Sequence, residues 1–201
     1  MALNRERVLL AAIELADASG IESVSMRSLG SHLGVEAMSL YNHVANKQDV
    51  LSGMTDLVWS QVDLATSVKE WRTAIRTIAL SVHEAFVRHP WSCRLHGAGV
   101  GPARLTYIDA TLGHLGRGGF SAELAFHAHH TLDAHILGYS LQELDYGSSG
   151  GPDPATLELI ADLSPTLPHF AEHLRQHGEG VPGVGFEIGL DLILDGLERS
   201  L

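Results

Sequence analysis

Four histidines lie close together in the segment "FHAHHTLDAH", which covers residues 126–135. His127 and His130 are three positions apart, and Asp133 follows His130 at the same spacing, so a helix would place these three side chains near one another. Imidazole and carboxylate groups are common zinc ligands. One interpretation is therefore a metal-dependent protein or enzyme that uses the helix from His127 to His135. The alternative, which we favour, is that the histidines pack in a helix interface or line a cavity, with no metal cofactor.

The other short motifs do not support catalysis. The segment "GSSGG" (147–151) contains no GxSxG pattern and lacks the strand–turn–helix context of a hydrolase nucleophile. The segment "GRGGF" (116–120) is not GxGxxG and follows a predicted helix, which disfavours a nucleotide site. We therefore predict that the chain is not an enzyme.

The composition is that of a folded cytoplasmic protein. The 201 residues are 45% hydrophobic, enough to bury one large core or two smaller ones. Cys93 is the single cysteine, so the fold cannot depend on an internal disulfide, which fits a reducing compartment. The beginning, "MALNRERVLL", lacks the pattern of a signal peptide, and no uncharged apolar run reaches the ~18 residues that a membrane helix needs. We expect no membrane partner.

Apolar residues recur at helical spacing along nearly the whole chain, which predicts an all-α fold. Asn4, Ser25 and Asn46 are placed to cap the first, second and fourth helices, and Gly34 is placed to end the second. The segment "YGSSGGPDP" (146–154) is predicted to be a loop. The predicted helices cover about 5–19, 26–33, 37–43, 47–65, 69–88, 91–96, 102–117, 121–145, 155–177 with an interruption near Pro165, and 184–200.

The segment "LGVEAMSLYNHVANKQDVL" (33–51) predicts a helix-turn-helix, in which one helix crosses the phosphate backbone and the next enters the major groove. A small core would hold the two helices together: Leu29, Leu33, Val35, Leu40 and Val44. Six other residues divide between the outer face and the helix ends, where they can contact phosphates or bases: Ala37, Met38, Ser39, Tyr41, Asn42 and His43. Lys47 follows in the first turn of the next helix, a position that favours phosphate.

The block "GIESVSMRSLGSHLGVEAMSLYNHVANKQDVL", with an amphipathic helix before it, resembles the DNA-binding domain of the tetracycline repressor (TetR) family. The resemblance covers about residues 4–64, and "LGV…LYNHVANK" is one of the family's most distinctive features. It implies a three-helix DNA-binding domain at 1–46 and a larger helical ligand-binding and dimerisation domain at 47–201, with helix 47–65 connecting them. The expected partners are double-stranded DNA with a palindromic operator, a second copy of the chain and a small-molecule effector.

The resemblance also implies roles for individual residues. Ser25 and Arg27 match family positions that touch a phosphate and a base edge, and an arginine can bind guanine with two hydrogen bonds. Ala37 and Met38 match positions that contact bases. The remaining matches are to phosphate-backbone contacts: Ser39, Tyr41, His43 and Lys47. Asn42 is expected on the same surface.

Charge argues in the opposite direction. The whole chain has a net charge of −11, and residues 1–64 carry four basic and eight acidic side chains, a net charge of −4. Because affinity depends on where charge lies, Arg27, His43 and Lys47 on one side of the motif can still bind phosphates. Few such contacts predict a shallow salt dependence of DNA binding, with a log–log slope of about −0.9 for each contact.

The C-terminal part predicts a dimer. The final helix, "FEIGLDLILDGLERSL", has apolar residues around most of its girth and therefore needs cover on more than one side. Helices 121–145 and 184–200 could form half of an intersubunit four-helix bundle. This tail and "GGFS" (118–121) also resemble, less continuously, the regulatory domain of the tetracycline repressor. His96 and Glu143 lie near, and not on, the positions with which that repressor holds magnesium–tetracycline, so we expect neither drug nor metal here.

A ligand bound among the C-terminal helices could change the separation of two DNA-binding domains and so release DNA. The aromatic and histidine side chains able to face such a ligand are His83, Phe86, Trp91, His96, Tyr107, His127, His130 and Tyr139. We predict a homodimeric repressor that a small molecule releases from its operator. A DNA-binding module without an effector is the remaining alternative.

Overall fold

The structure, a computed structural model, describes residues 3–95, 100–149, 154–177 and 184–201. These residues form α-helices and two short 3-10 turns, with no β-strand among them. The helices are α1 (Arg5–Ser19), α2 (Met26–Leu33), α3 (Ala37–Leu40), α4 (Lys47–Ser60), α5 (Trp71–Arg88), α6 (Pro90–Arg94), α7 (Pro102–Arg117), α8 (Ala122–Ser149), α9 (Pro154–Leu163), α10 (Pro168–His177) and α11 (Val184–Glu198). The all-α prediction is confirmed.

The largest differences between the predicted and observed helix ends are in α3, α4 and α8. Helix α3 ends at Leu40 and not at His43, because the chain tightens into a turn in which the His43 N–H donates to the Leu40 carbonyl. Helix α4 ends at Ser60, five residues earlier than predicted. Helix α8 continues to Ser149 through residues predicted as a loop, since one glycine and two serines lower helix propensity without breaking a helix. The rest of that predicted loop, 150–153, lies outside the described residues.

The predicted caps form at the start of the chain. The side chains of Asn4 and Asn46 accept the backbone N–H groups of the residues three positions later, Arg7 and Asp49. Ser25 forms a reciprocal capping box with the third residue of α2, since each side chain accepts the other's backbone N–H. These bonds set where α1, α2 and α4 begin.

Two glycines shape the junction of α2 and α3. Gly34 follows α2 with φ at 68°, in the left-handed region where a side chain is strained, so it ends the helix and turns the chain. A Cβ on Gly30 would lie 2.9 Å from the Val35 carbonyl oxygen, closer than carbon and oxygen approach. Glycine at this position therefore allows α2 and α3 to pack at the short distance of a helix-turn-helix.

The described helices bury two apolar cores. The head, which we define as residues 3–58, is built on one core, and Val8, Leu29 and Leu40 lie at its centre. The body, which we define as the described residues from 59 onward, is built on the other, with Ile75, Leu132 and Leu190 among its fully buried side chains. Helix α4 belongs to both. Its Val50, Met54 and Val58 are buried in the head core, and its Trp59 is buried in the body core.

Ion pairs fix the position of α11 on α5. Arg72 of α5 pairs with Asp195 and Glu198, one turn apart on α11. Arg76, one turn later on α5, pairs with Glu187 and Asp191. The two arginines thus face a row of carboxylates at helical spacing, which sets the register in which the buried side of α11 packs on the body. None of the described helices is long and apolar enough to cross a membrane.

The Arg5–Asp49 pair joins α1 to the first turn of α4, and it makes a testable contribution to stability. The Asp49 carboxylate accepts two hydrogen bonds from Arg5, at 2.6 and 2.8 Å, and one from the Ala45 N–H, which together lower its pKa from 3.8 to about 2. Because the folded-state pKa is lowered, the contribution is complete above pH 4 and is lost as the pH falls toward 2.

We expect Asp49→Asn to lower the free energy of unfolding by about 1–2 kcal/mol at pH 7, after allowing for the partial exposure of the pair. Urea titrations of the original chain and the variant between pH 2 and pH 7 measure the difference. Glu22→Gln, at an exposed acid in the same head, is the matched control and should change little. A difference that stayed constant down to pH 2 would contradict the assignment.

Candidate nucleic-acid interface and cavity

All nine residues predicted to contact DNA are exposed or half-buried on the helix-turn-helix. Met38 at the start of α3 is 75% exposed, and Tyr41 just after α3 is 46% exposed, so Tyr41 is not a core aromatic. Three more are exposed: Arg27, Asn42 and Lys47. The other four are half-buried: Ser25, Ala37, Ser39 and His43.

The beginnings of three helices carry these side chains. Ser25 caps α2, Arg27 lies in its first turn, Ala37 and Met38 open α3, and Lys47 opens α4. Helix N-termini present free N–H groups and a partial positive charge to phosphate. In a helix-turn-helix, the first residues of the second helix are those that reach base edges. The Ser25 hydroxyl also accepts the Ser28 N–H, so its position is fixed by the cap.

Few full positive charges are available on this surface. Arg5 is held by Asp49, as described above. Arg27 and Lys47 are exposed, and neither forms a hydrogen bond or ion pair with another described residue. The helix N-termini of this surface can bind phosphate. The surface carries few positive side chains, as the negative net charge of residues 1–64 indicated.

A carboxylate of the head ties α1 to α6 of the body. Asp17 on α1 accepts a hydrogen bond of 2.7 Å from the Trp91 indole N–H, and His89 Nδ1 lies 3.0 Å from both of its oxygens. His89 and Trp91 are 8% and 3% exposed. The sequence suggested a ligand-facing role for Trp91, and the structure places its ring in the head core at this junction.

A second carboxylate ties α4 to α7. Asp56 Oδ1 accepts the Ala103 N–H at the start of α7, at 2.8 Å. A Cβ on the preceding Gly101 would overlap the Asp56 carboxylate, so glycine is needed for this approach. The head is therefore held to the body by one carboxylate from α1 and another from α4.

Beside this second tie lies a cavity of about 150 Å³ between α4 and α7. The residues around it are Ser52, Thr55, Asp56, Trp59, Leu95, Val100, Gly101 and Arg104. None of the residues predicted to face a ligand, among those that the structure describes, lines this cavity. The sequence could not indicate this site, because Trp59 and Arg104 are 45 positions apart and nothing in their local patterns shows that they meet.

Arg104 links the cavity to a buried polar cluster in the body. Its guanidinium lies 5.6 Å from the centre of the Trp59 ring and 3.7 Å from an Asp133 oxygen. The Tyr107 hydroxyl donates to Asp133 at 2.6 Å, and the Tyr107 ring packs on His129. Burial raises the pKa of Tyr107 and lowers that of His129. Tyr107, a predicted ligand residue, is thus one layer behind the cavity.

The other predicted ligand residues do not form one group, although His83 and Tyr139 lie together. Phe86 is buried in the body core, edge-on to Trp59. His83 stacks on Phe186, and the half-buried Tyr139 packs on the same ring. His127 and His130 are exposed on the outside of α8, so the structure does not bring them together with the buried group. His96 lies outside the described residues.

His83 contacts a serine and a carboxylate in a way that resembles a hydrolytic triad. Its Nδ1 lies 2.8 Å from Ser140 Oγ, and its Nε2 lies 3.2 Å from a Glu143 oxygen. Ser140 is completely buried, so no substrate carbonyl can reach its hydroxyl. Burial lowers the pKa of His83, and the nearby Glu143 opposes that shift. We interpret the three as a structural network at the end of an open cleft of about 360 Å³.

The histidine-rich segment divides between two sides of α8. His129 faces the core, while the exposed His130 is hydrogen-bonded to the Phe126 carbonyl and His135 to the Phe186 carbonyl. Within the described ranges, no three histidine, cysteine, aspartate or glutamate side chains are arranged to hold a metal ion. Burial raises the pKa of the Cys93 thiol to about 12, so it is not a reactive thiolate.

Comparisons with known proteins agree with this architecture. The family described as tetracyclin repressor-like, C-terminal domain matches residues 65–201. The HTH-type transcriptional repressor Rv1353c of Mycobacterium tuberculosis is 33% identical over 213 residues, covering 99% of this chain and 82% of the relative. A possible TetR family transcriptional regulator from Streptomyces coelicolor superposes with a TM-score of 0.83 at 27% identity, covering 98% and 100% of the two chains. ActR of Streptomyces coelicolor, crystallised with actinorhodin, gives 0.81 at 25% identity, covering 100% and 98%.

A helix-turn-helix head on a larger helical body defines a DNA-binding transcriptional regulator, as the sequence predicted. With a family match over more than half of its length and a repressor relative along nearly all of it, the chain belongs to the TetR family.

We expect the Asp17 tie to contribute measurably to stability. Trp91→Phe removes the indole donor and should lower the free energy of unfolding by about 1–3 kcal/mol, because the Asp17 carboxylate loses a hydrogen bond in a partly buried place. Trp71→Phe is the matched control, since the Trp71 ring packs on Phe120 and its indole N–H has no partner among the described residues. Denaturant unfolding measures both variants, and equal losses would contradict a specific role for the hydrogen bond.

Proposed function

We propose that this protein is a homodimeric repressor that binds a palindromic operator and is released when a small molecule occupies the cavity between α4 and α7. The observation that carries the proposal is that α4 contributes both to the candidate DNA-contacting surface and to the lining of the cavity. Its first residue, Lys47, lies on the DNA-contacting surface, and its Thr55, Asp56 and Trp59 line the cavity. A molecule bound in the cavity changes the packing of α4, and α4 is the helix that positions the head.

Relatives support the same function. Rv1353c is named a transcriptional repressor, and ActR is known in a crystal structure with actinorhodin. A named repressor and a protein with a bound ligand therefore occur among the proteins similar to this chain along its length. We extend both properties to this chain, and we propose that it needs no metal cofactor and performs no catalysis.

The surface of α8 and α11 supports a dimer. On α11, Ile188 and Leu192 are 57% and 67% exposed, which is unusual for large apolar side chains at helical spacing. On α8, Ala134 is exposed, and a Cβ on Gly138 would meet nothing, as would one on Gly196 of α11. Small and apolar residues on adjacent helices allow a second helix pair to approach closely. A second copy of the chain supplies that pair with two-fold symmetry.

Two heads related by a two-fold axis match the two halves of a palindrome, whose major grooves repeat every ~34–36 Å along B-DNA. Selection of bound sequences from random double-stranded oligonucleotides tests this directly. The expected product is a palindrome with half-sites about one helical turn apart. Enrichment of no sequence, with equal binding to scrambled DNA, would contradict the proposal.

Lys47→Gln should weaken operator binding about equally for all sequences, because phosphate contacts carry no base information. The log–log salt slope should become shallower by about 0.9 for each head, or about 1.8 for the dimer. Fluorescence anisotropy of a labelled operator between 50 and 300 mM salt, roughly the range in which such contacts are resolved, measures it. Lys69→Gln, at the exposed lysine before α5, is the matched control and should leave the slope unchanged.

Leu192→Glu should convert the dimer to a monomer, because it places a charge on the apolar face of α11. The operator affinity should fall by more than about tenfold, since one head alone makes half of the contacts. Leu10→Glu, at a leucine that is 46% exposed on α1, is the control for charge at an exposed leucine and should leave the dimer intact. Analytical ultracentrifugation measures both, and a dimeric Leu192→Glu variant would place the interface elsewhere.

A further inference from the structure

The first residues of α3 indicate which base the candidate DNA-contacting surface recognises. We propose that each half-site of the operator carries a thymine whose C5-methyl group packs on the Met38 side chain, so that apolar contact, and not a hydrogen bond, selects this base. The inference rests on the proposed function, since it assigns a base to the surface through which operator binding is proposed.

Met38 presents a large apolar side chain to solvent. It is 75% exposed, more than any other large hydrophobic residue that the structure describes. A methionine side chain is unbranched and polarisable, so it adapts to irregular apolar surfaces. Contact with another apolar group removes its surface from water, and the gain is roughly proportional to the area buried. An apolar group on the DNA would therefore stabilise the complex.

The position of Met38 is that of a base-reading residue. It is the second residue of α3, and the first residues of the second helix in a helix-turn-helix reach base edges in the major groove. A Cβ on Gly30 of α2 would lie only 3.1 Å from the Ala37 nitrogen. This close contact between α2 and the start of α3 fixes the point from which the Met38 side chain extends.

The major groove offers one apolar group, the methyl group of thymine. Guanine presents two acceptors there, cytosine presents a donor, and adenine presents one of each. An apolar side chain placed on those edges would remove polar atoms from water without replacing their hydrogen bonds, which costs free energy. Thymine is therefore the base whose edge best matches Met38.

The side chains around Met38 do not provide the usual hydrogen-bond alternatives. Residues 35–41 include no arginine, lysine, asparagine or glutamine, the types that read guanine or adenine with two hydrogen bonds. Glu36, just before α3, is exposed and caps no backbone N–H, and a carboxylate only accepts hydrogen bonds. It would therefore repel the two acceptors of guanine. Ala37, the residue before Met38, adds only a methyl group.

Deoxyuridine tests the methyl group alone, because it lacks the methyl group of thymidine and keeps the same hydrogen-bonding edge and the same pairing with adenine. The probe is a duplex of about 30 base pairs, or three helical turns, that carries the palindrome recovered by selection. Each thymine is replaced in turn, at the symmetric positions of both half-sites. Fluorescence anisotropy at one fixed salt concentration measures the affinity, since DNA binding depends on salt.

At one thymine of each half-site, we expect the replacement to weaken binding about tenfold or more. A buried methyl group contributes roughly a fourfold change in affinity, and two symmetric half-sites multiply that change. If cytosine is placed at the same position, 5-methylcytosine should bind more tightly than cytosine, because it restores the methyl group. A selected palindrome in which no thymine can be replaced with loss of affinity would overturn the proposal.

Variants of Met38 assign the contact to this side chain. In Met38→Ala, the loss on replacing thymine by deoxyuridine should largely disappear, whereas Met38→Leu, of similar volume and polarity, should keep most of it. Lys47→Gln is the matched control, because a phosphate contact affects both duplexes by the same factor and leaves their ratio unchanged. Thermal unfolding checks that each variant is folded. A folded Met38→Ala variant that retains the full ratio would overturn the proposal.

The outcome separates this inference from the proposed function. If a palindrome is selected and its affinity depends on no thymine methyl group, the operator proposal stands and the base assignment is wrong. If no sequence is selected, the operator proposal is wrong and the base assignment falls with it. A palindrome whose dependence on a thymine methyl group is lost in Met38→Ala supports both.

Discussion

Helix α4 contributes side chains to both hydrophobic cores, and the arrangement of head and body depends on this shared packing. Helix α4 buries Val50 and Met54 in the head and Trp59 in the body, so neither core is complete without it. Because packed cores resist continuous deformation, α4 can change its angle only if contacts on both sides rearrange together. A change of packing in the body would therefore reach the candidate DNA-contacting surface through α4, as the proposed mechanism requires.

The polar contacts between head and body depend more strongly on distance and direction than the apolar packing beside them. Asp17 accepts the Trp91 indole N–H of α6, and Asp56 accepts the Ala103 N–H of α7, so each carboxylate joins two elements that the chain could otherwise separate. Hydrogen bonds of this type lose most of their free energy over a small displacement, whereas apolar contacts tolerate sliding. The two carboxylates therefore define one discrete arrangement of head and body, which is what a two-state regulator needs.

The sequence predicted the local structure well and the tertiary site poorly, for a physical reason. Each predicted cap is a hydrogen bond to a residue three positions away, so a short segment of sequence is enough to predict it. These caps are Asn4, Ser25 and Asn46. The exposed residues of the helix-turn-helix follow from the same local periodicity and from the family resemblance. The cavity depends instead on Trp59 meeting Arg104, which only the packing of α4 on α7 decides. The spacing of the histidines likewise could not show that His129 is buried while His127 and His130 are exposed, since all three lie on one helix.

The negative net charge of the chain is consistent with regulation by a small coupling free energy between the ligand and DNA sites. A head with a net charge of −3 and only two exposed cations on its candidate contact surface obtains little non-specific affinity from phosphates. In the dimer proposed above, specific affinity comes from base contacts and from two heads engaging at once, and the second contribution vanishes when their spacing no longer fits the grooves. Coupling between ligand and DNA sites is typically about 1–3 kcal/mol, which would hardly displace a strongly basic protein from DNA. In the proposed dimer, whose few exposed cations allow few phosphate contacts, the same coupling free energy changes the occupancy of the operator substantially. The weak electrostatic attraction of the head to DNA therefore suits the proposed release by a ligand.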